Sequence, residues 1–191
     1  MRGLMAGAMA YQRFMDRVSD FLGGISQYLV LVLIVVGFAN VVLRYVGEAI
    51  GRRLTTNDLI EAQWYLYGAL FLLALPYVLR HQINVRVDFW FAGQPARRKA
   101  WIDFAGHLIG LLPFALLGIL ISLPAARRSW RIGETTPEGG LPLAPIKTLI
   151  LAAMVLLLLQ GLAELVKLAV VLRGREDLVE LEEHDAPLRI E

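Results

Sequence analysis

The stretch Asp58 to Asp88, DLIEAQWYLYGALFLLALPYVLRHQINVRVD, constrains the fold more than any other. After an acidic start it runs through about twenty mostly apolar residues before Arg80 and His81 end the run. That length suffices for a helix to cross a hydrocarbon core of roughly 30 Å. Similar runs cover about residues 21–43, 104–126 and 146–172, with this one at 58–79. The pattern predicts an all-α membrane protein with four transmembrane helices. Composition agrees, because 57% of the 191 residues are hydrophobic, against about 45–50% in a soluble domain. The excess is gathered into long blocks.

Charge and cysteine usage exclude several function classes. The formal net charge is only +2, and the basic residues are dispersed, whereas a nucleic-acid surface needs clustered Lys and Arg. No nucleic-acid partner is expected. With no cysteine in the chain, disulfides, thiolate metal sites and Cys nucleophiles are ruled out.

Taken in order, residues 1–20 open the chain with Tyr11, Phe14, Met15, Val18 and Leu22 at helical spacing and Arg13, Asp16, Arg17 and Asp20 on the other face. This predicts an N-terminal amphipathic helix lying in the cytoplasmic interface. A cleavable signal peptide is the competing reading, but the apolar run is too long and too late for one. The first span contains Gln27 and Asn40, and Arg44 and Tyr45 mark its exit, where Arg can snorkel and Tyr can join an aromatic belt. Asp58 and Glu61, three apart, have the spacing of a helix cap and its carboxylate partner. Gly106 and Gly110 in the third span form a G-x-x-x-G pair that lets another helix approach closely, and Pro113 and Pro124 are positions for a bend. Arg127, Arg128, Trp130 and Arg131 form its exit belt. Residues 133–145, GETTPEGGLPLAP, form a constrained loop, and residues 174–191 an acidic tail expected in the cytoplasm.

Lys and Arg are biased across the membrane. Counting Lys147 and Lys167 with the end of the fourth span each lies nearest, twelve of the nineteen fall on the side of the two termini and the middle loop, and seven on the side of the other two loops. The bias predicts both termini in the cytoplasm.

No spacing in the sequence fits a metal-ligand set, a phosphate loop or a nucleophile arrangement, so neither enzyme activity nor a cofactor is expected. Ionisable residues inside spans are the default functional candidates. His107 sits near one end of the third span; a b-type haem needs two facing His, and His81 and His184 lie outside the apolar zone. Glu164 and Lys167, three apart, suit an ion pair better than a proton relay. A secondary carrier usually needs two repeats with broken helices meeting at the midplane, and no internal repeat is present. The chain therefore reads as a subunit that packs against a larger membrane protein, with Gly106 and Gly110 as one candidate seam.

The opening stretch resembles a known family, the small membrane subunit of tripartite ATP-independent periplasmic (TRAP) transporters. The residues that carry the likeness are Glu61, Trp64, Phe71-Leu72-Leu73-Ala74, Leu79-Arg80 and Val85-Arg86-Val87-Asp88. It extends more loosely through Ser129-Trp130-Arg131-Ile132-Gly133-Glu134, Pro145-Ile146-Lys147 and Gln160-Gly161-Leu162-Ala163-Glu164. The chain departs from the family pattern at Asn84, where a His is usual, and at Pro76. The resemblance implies a multi-pass protein of the bacterial inner membrane that pairs with a large multi-span permease subunit and a periplasmic substrate-binding protein. That assembly imports an organic acid or similar solute on an ion gradient, and the small subunit braces it. Glu61, Trp64, Arg86, Asp88, Gly106, Gly110, Arg127 and Arg128 are the expected contacts to the partner or to membrane lipids. The alternative from another class is a membrane-anchor or cytochrome-like subunit of a respiratory complex.

Overall fold

A computed structural model of the chain describes residues 2–55, 57–83, 93–137 and 140–173, with side chains described from residue 6 and excepting that of Ala96. The elements in order are α1 (Arg2–Ala49), α2 (Asn57–Arg80), α3 (Ala96–Ala105), a π-helical turn (Gly106–Leu111), α4 (Leu112–Ile132) and α5 (Ala144–Leu172). Four helices are long and apolar enough to cross a membrane, with α3, the π turn and α4 forming one of them. Helix is the open-chain solution there, because each spanning segment satisfies its own backbone N–H and C=O groups without water.

The helices pack around α5. α1 pairs with α2 and α4 with α5, while α1, α2, α3 and the π turn also touch α5. A third of the most apolar stretch of α5 is buried, against 11% in α2, 6% in the α3–α4 rod and none in α1. The core at this centre is small, with Leu79, Ala115 and Leu157 buried and Leu75, Leu111 and Leu158 packed on them. Glycine sets the closest approaches. A Cβ on Gly23 would sit 2.3 Å from the Tyr77 ring, and one on Gly161 would sit 2.8 Å from Leu111.

Two expectations change at the start of α1 and α2. No separate amphipathic helix lies in the interface: residues 2–20 are the opening turns of one continuous 48-residue helix. At about 1.5 Å per residue that helix is roughly 70 Å long, more than twice the core thickness. Its early face is turned to protein, since Gln12, Met15 and Ser19 are buried while Phe14 is 63% exposed. The buried side is not the expected apolar face, for Asp16 and Ser19 meet α5 from it while Phe14 points away, and no proline interrupts the run into the span. Likewise α2 begins at Asn57, so Asp58 lies in its first turn, where its charge still suits the positive helix end.

The third span carries an irregularity that its prolines explain. Leu112 donates its N–H to the His107 carbonyl, five residues back. Pro113 has no N–H and its ring would collide with the carbonyl four residues back, so widening the preceding turn relieves the clash. The His107 ring donates from Nδ1 to the Asp103 carbonyl at 2.7 Å. Gly106 and Gly110 are exposed on this turn, and a Cβ on either would meet nothing within 4 Å. Among the described residues nothing occupies the G-x-x-x-G face.

These close approaches predict opposite outcomes for two substitutions. Gly23→Val should destabilise the detergent-solubilised chain by about 1–3 kcal/mol, because Tyr77 fills the space beside Gly23. Gly106→Val should leave its thermal midpoint within error of the parent.

Candidate functional site

The most concentrated polar chemistry lies where the start of α1, the end of α2 and the second half of α5 meet. Gln160 is fully buried and Glu164 is 1% exposed, both on one face of α5, with buried Ser19 opposite on α1. The Ser19 hydroxyl donates to Gln160 Oε1 at 2.8 Å. Gln160 Nε2 donates to Asp16 Oδ1 at 3.1 Å and to Glu164 Oε1 at 3.3 Å. The amide is thereby used at both its oxygen and its nitrogen.

Arg80, the last residue of α2, extends the network to the surface. Its Nη1 donates to the Asp16 carbonyl at 2.6 Å, and its Nε lies 3.8 Å from Asp16 Oδ1. The same guanidinium pairs with Asp20, which also contacts His81 Nε2 at 3.1 Å. Lys167 Nζ stands 4.0 Å from Glu164, at the outer limit of an ion pair, and Tyr11 donates its hydroxyl to the Leu159 carbonyl at 2.8 Å. The sequence pattern placed Asp16 on a solvated face; its side chain is only 15% exposed and turned inward. The available signal was Gln160 and Glu164, four apart in an otherwise apolar span, since such residues face protein and seek partners.

At the opposite end, the segment after α4 straps the bundle. Gly133 takes a left-handed conformation, φ 60°, and its N–H bonds the Ser129 carbonyl, ending α4. Thr135 and Pro142 form an antiparallel bridge, so the Gly- and Pro-rich segment is more ordered than its composition suggests. Thr136 N–H bonds the Leu141 carbonyl at 2.9 Å, and Leu143 N–H bonds the Glu134 carbonyl at 2.9 Å. Thr136 donates its hydroxyl to Glu61, and Tyr65 donates to the Pro142 carbonyl at 2.6 Å, which fastens the strap to α2. Lys147 bonds Glu134, and Trp130 donates to Thr148 at 2.8 Å, which fastens it to α5. The hydrogen bond from Lys147, helped by the charge of Arg128, holds the Glu134 carboxyl below the usual carboxylate range.

The expected contact residues separate into distinct situations. Glu61 is half-buried and engaged by Thr136. Trp64 is 77% exposed, and Arg127, Arg128, Gly106 and Gly110 are exposed as well. Arg86 and Asp88 lie outside the described residues. The described members do not converge on one pocket, and among the described residues no group of three or more His, Asp or Glu could hold a metal ion. What this geometry can do chemically is hold helices in register; it presents no open reacting centre.

Two measurements check this assignment. Gln160→Leu, which strands Ser19 and takes one donor from Asp16, should cost about 2 kcal/mol in the detergent-solubilised chain, read from thermal melting. At the strap, Glu134 has its folded pKa lowered. Its pairing with Lys147 is thus fully present above the ordinary carboxylate value and is lost as pH falls through the folded one. Exchange protection of the Leu143 amide, compared at each pH with Glu134→Gln, should exceed that variant's at neutral pH and converge with it in acid.

No curated protein and no solved structure matches the chain. The family model for tripartite ATP-independent periplasmic transporters, DctQ component, matches residues 33–170, well over half its length. That family supplies transporter components, and the respiratory-anchor alternative finds no support. A four-span bundle that has the family's sequence pattern through three of its spans and part of the first belongs to the DctQ component family of TRAP transporters.

Proposed function

We propose that the chain is the small permease subunit of a TRAP-type importer, bracing a large multi-span permease subunit while an ion gradient drives uptake of an organic acid or similar solute. The family match over residues 33–170 carries this reading. Around it the protein is an integral part of a bacterial inner membrane, with both termini and the acidic tail in the cytoplasm and a periplasmic substrate-binding protein as the third component. The polar network supports the bracing role, because hydrogen bonds among α1, α2 and α5 hold the bundle in one register.

The seam is proposed on the third span. Among the described residues nothing lies within 4 Å of a Cβ at Gly106 or Gly110, and Ile109 between them is 75% exposed. A partner helix can approach such a face closely. Trp64, Arg127 and Arg128 are further contacts to the partner or to lipid, and Arg86 and Asp88 anchor the segment after α2.

Co-expression with the large permease subunit tests this. Replacing Gly106 and Gly110 together by Val should reduce co-purification and solute uptake at least several-fold while the small subunit alone melts as the parent does. Full assembly and uptake in that variant would remove the seam from the third span, and failure of the parent to co-purify with any large permease would remove the bracing role itself.

A further inference from the structure

At the α1–α2 turn the backbone builds a fixed, strongly basic corner. Gly51 adopts φ 67°, and its N–H bonds the Glu48 carbonyl at 3.2 Å while Arg52 N–H bonds the Gly47 carbonyl at 2.8 Å. This is the paired closure of a Schellman motif, and it needs glycine at both points. Gly51 has the left-handed conformation, and a Cβ on Gly47 would lie 2.5 Å from the Arg52 carbonyl. The corner opens into a polar cavity of about 540 Å³ whose lining includes Arg44, Arg52, Arg53, Glu48 and Asn57. Among the described residues none of these arginines has an ion-pair partner, so three guanidinium groups share one concavity with a single carboxylate.

A second, apolar cavity of about 470 Å³ lies further along the same two helices, lined by Leu33, Gln63, Trp64 and Tyr67. Its helical positions connect it to the first. Leu33 and Arg44 are eleven residues apart on α1, close to three full turns, and Asn57 and Trp64 are seven apart on α2, close to two, so each pair shares a helix face. Between the cavities a Cβ on Gly37 would lie 3.4 Å from Gln63 Oε1, so the Gln63 side chain packs against bare α1 backbone there while its Nε2 donates to the Leu59 carbonyl at 3.0 Å. Eleven residues rise about 16 Å, which matches half of a hydrocarbon core of roughly 30 Å. Ile50 and Leu54, exposed beside the arginines, suit the border between headgroups and acyl chains.

We propose that this corner and groove bind one anionic phospholipid of the adjoining leaflet, its phosphate held by Arg44, Arg52 and Arg53 and one acyl chain lying along α1 and α2 beside Trp64. Arginine suits the headgroup because its planar donors match phosphate oxygens. The basic cavity supplies the charge complementarity, and the groove supplies the length of one leaflet's chain. The site is separate from the third-span seam and does not depend on the bracing role.

Trp64 reports its own occupant. In the full-length chain with Trp90, Trp101 and Trp130 replaced by Phe, phosphatidylglycerol brominated on its tail should quench Trp64 at lower concentration than brominated phosphatidylcholine. R44Q/R52Q/R53Q should raise the half-quenching concentration of the anionic lipid roughly ten-fold or more and leave that of the neutral lipid unchanged. Arg13→Gln with Arg17→Gln, exposed at the far end of α1, should change neither. Native mass spectrometry of the chain with all its tryptophans should show phosphatidylglycerol retained by the parent and lost from the triple variant, whose melting in neutral detergent should match the parent's. Equal quenching by the two lipids, or retention by the triple variant, overturns the proposal. Displacement of the quencher by millimolar inorganic phosphate alone assigns the corner to free phosphate and overturns it too. Loss of quenching when the large permease subunit is bound would hand the groove to that partner and overturn the proposal for the assembled transporter.

Discussion

The rest of the structure depends on one buried amide. Gln160 sits at the centre of the helix that every other helix touches, and it links Ser19 and Asp16 on α1 to Glu164 on its own helix. Arg80 adds α2 by reaching Asp16 and Asp20. In lipid, apolar side chains gain little by leaving one hydrocarbon surface for another, so helix association relies on close packing and hydrogen bonds. The small core around Leu79, Ala115 and Leu157 would specify register weakly by itself. A polar group that loses stabilisation in any other register specifies it strongly.

The two ends of the bundle are fixed by different means. Where α2 ends, side chains make the ties, and these are charge-assisted. At the strap the backbone contributes as much: the left-handed Gly133 ends α4, the Thr135–Pro142 bridge folds the chain back, and Glu61 and Tyr65 then receive it. With both ends held, α1 and the third span keep exposed apolar faces, as at Phe38, Ile109 and Ile121. The π turn ahead of Pro113 lies on one of those faces, with Gly106 and Gly110 beside it.

The basic corner at the α1–α2 turn shows how backbone and charge cooperate in a short loop. Gly47 and Gly51 close the end of α1, and closure places Arg52 and Arg53 beside Arg44 on the last turns of the helix. The sequence reading took Arg44 as a snorkelling residue at the exit of the first span and did not bring Arg52 and Arg53 to it. Their convergence depends on one left-handed glycine, because a continued helix would spread them around its circumference.

By itself the sequence determined the membrane class, the number of long apolar helices and the family, because each is written in run length, composition and short motifs such as Leu79-Arg80 and Gln160-Gly161-Leu162-Ala163-Glu164. It also showed an amphipathic pattern over Tyr11 to Leu22, but helical periodicity defines a face without naming what covers it. Only the tertiary structure decided that the early α1 face meets α5 and not the interface, that Asp16 is turned inward, and that Glu61 is taken by Thr136. The reason is physical: in a chain this apolar, hydrophobicity does not separate protein-facing from lipid-facing positions. The deciding contacts join residues more than sixty positions apart, which no local pattern records.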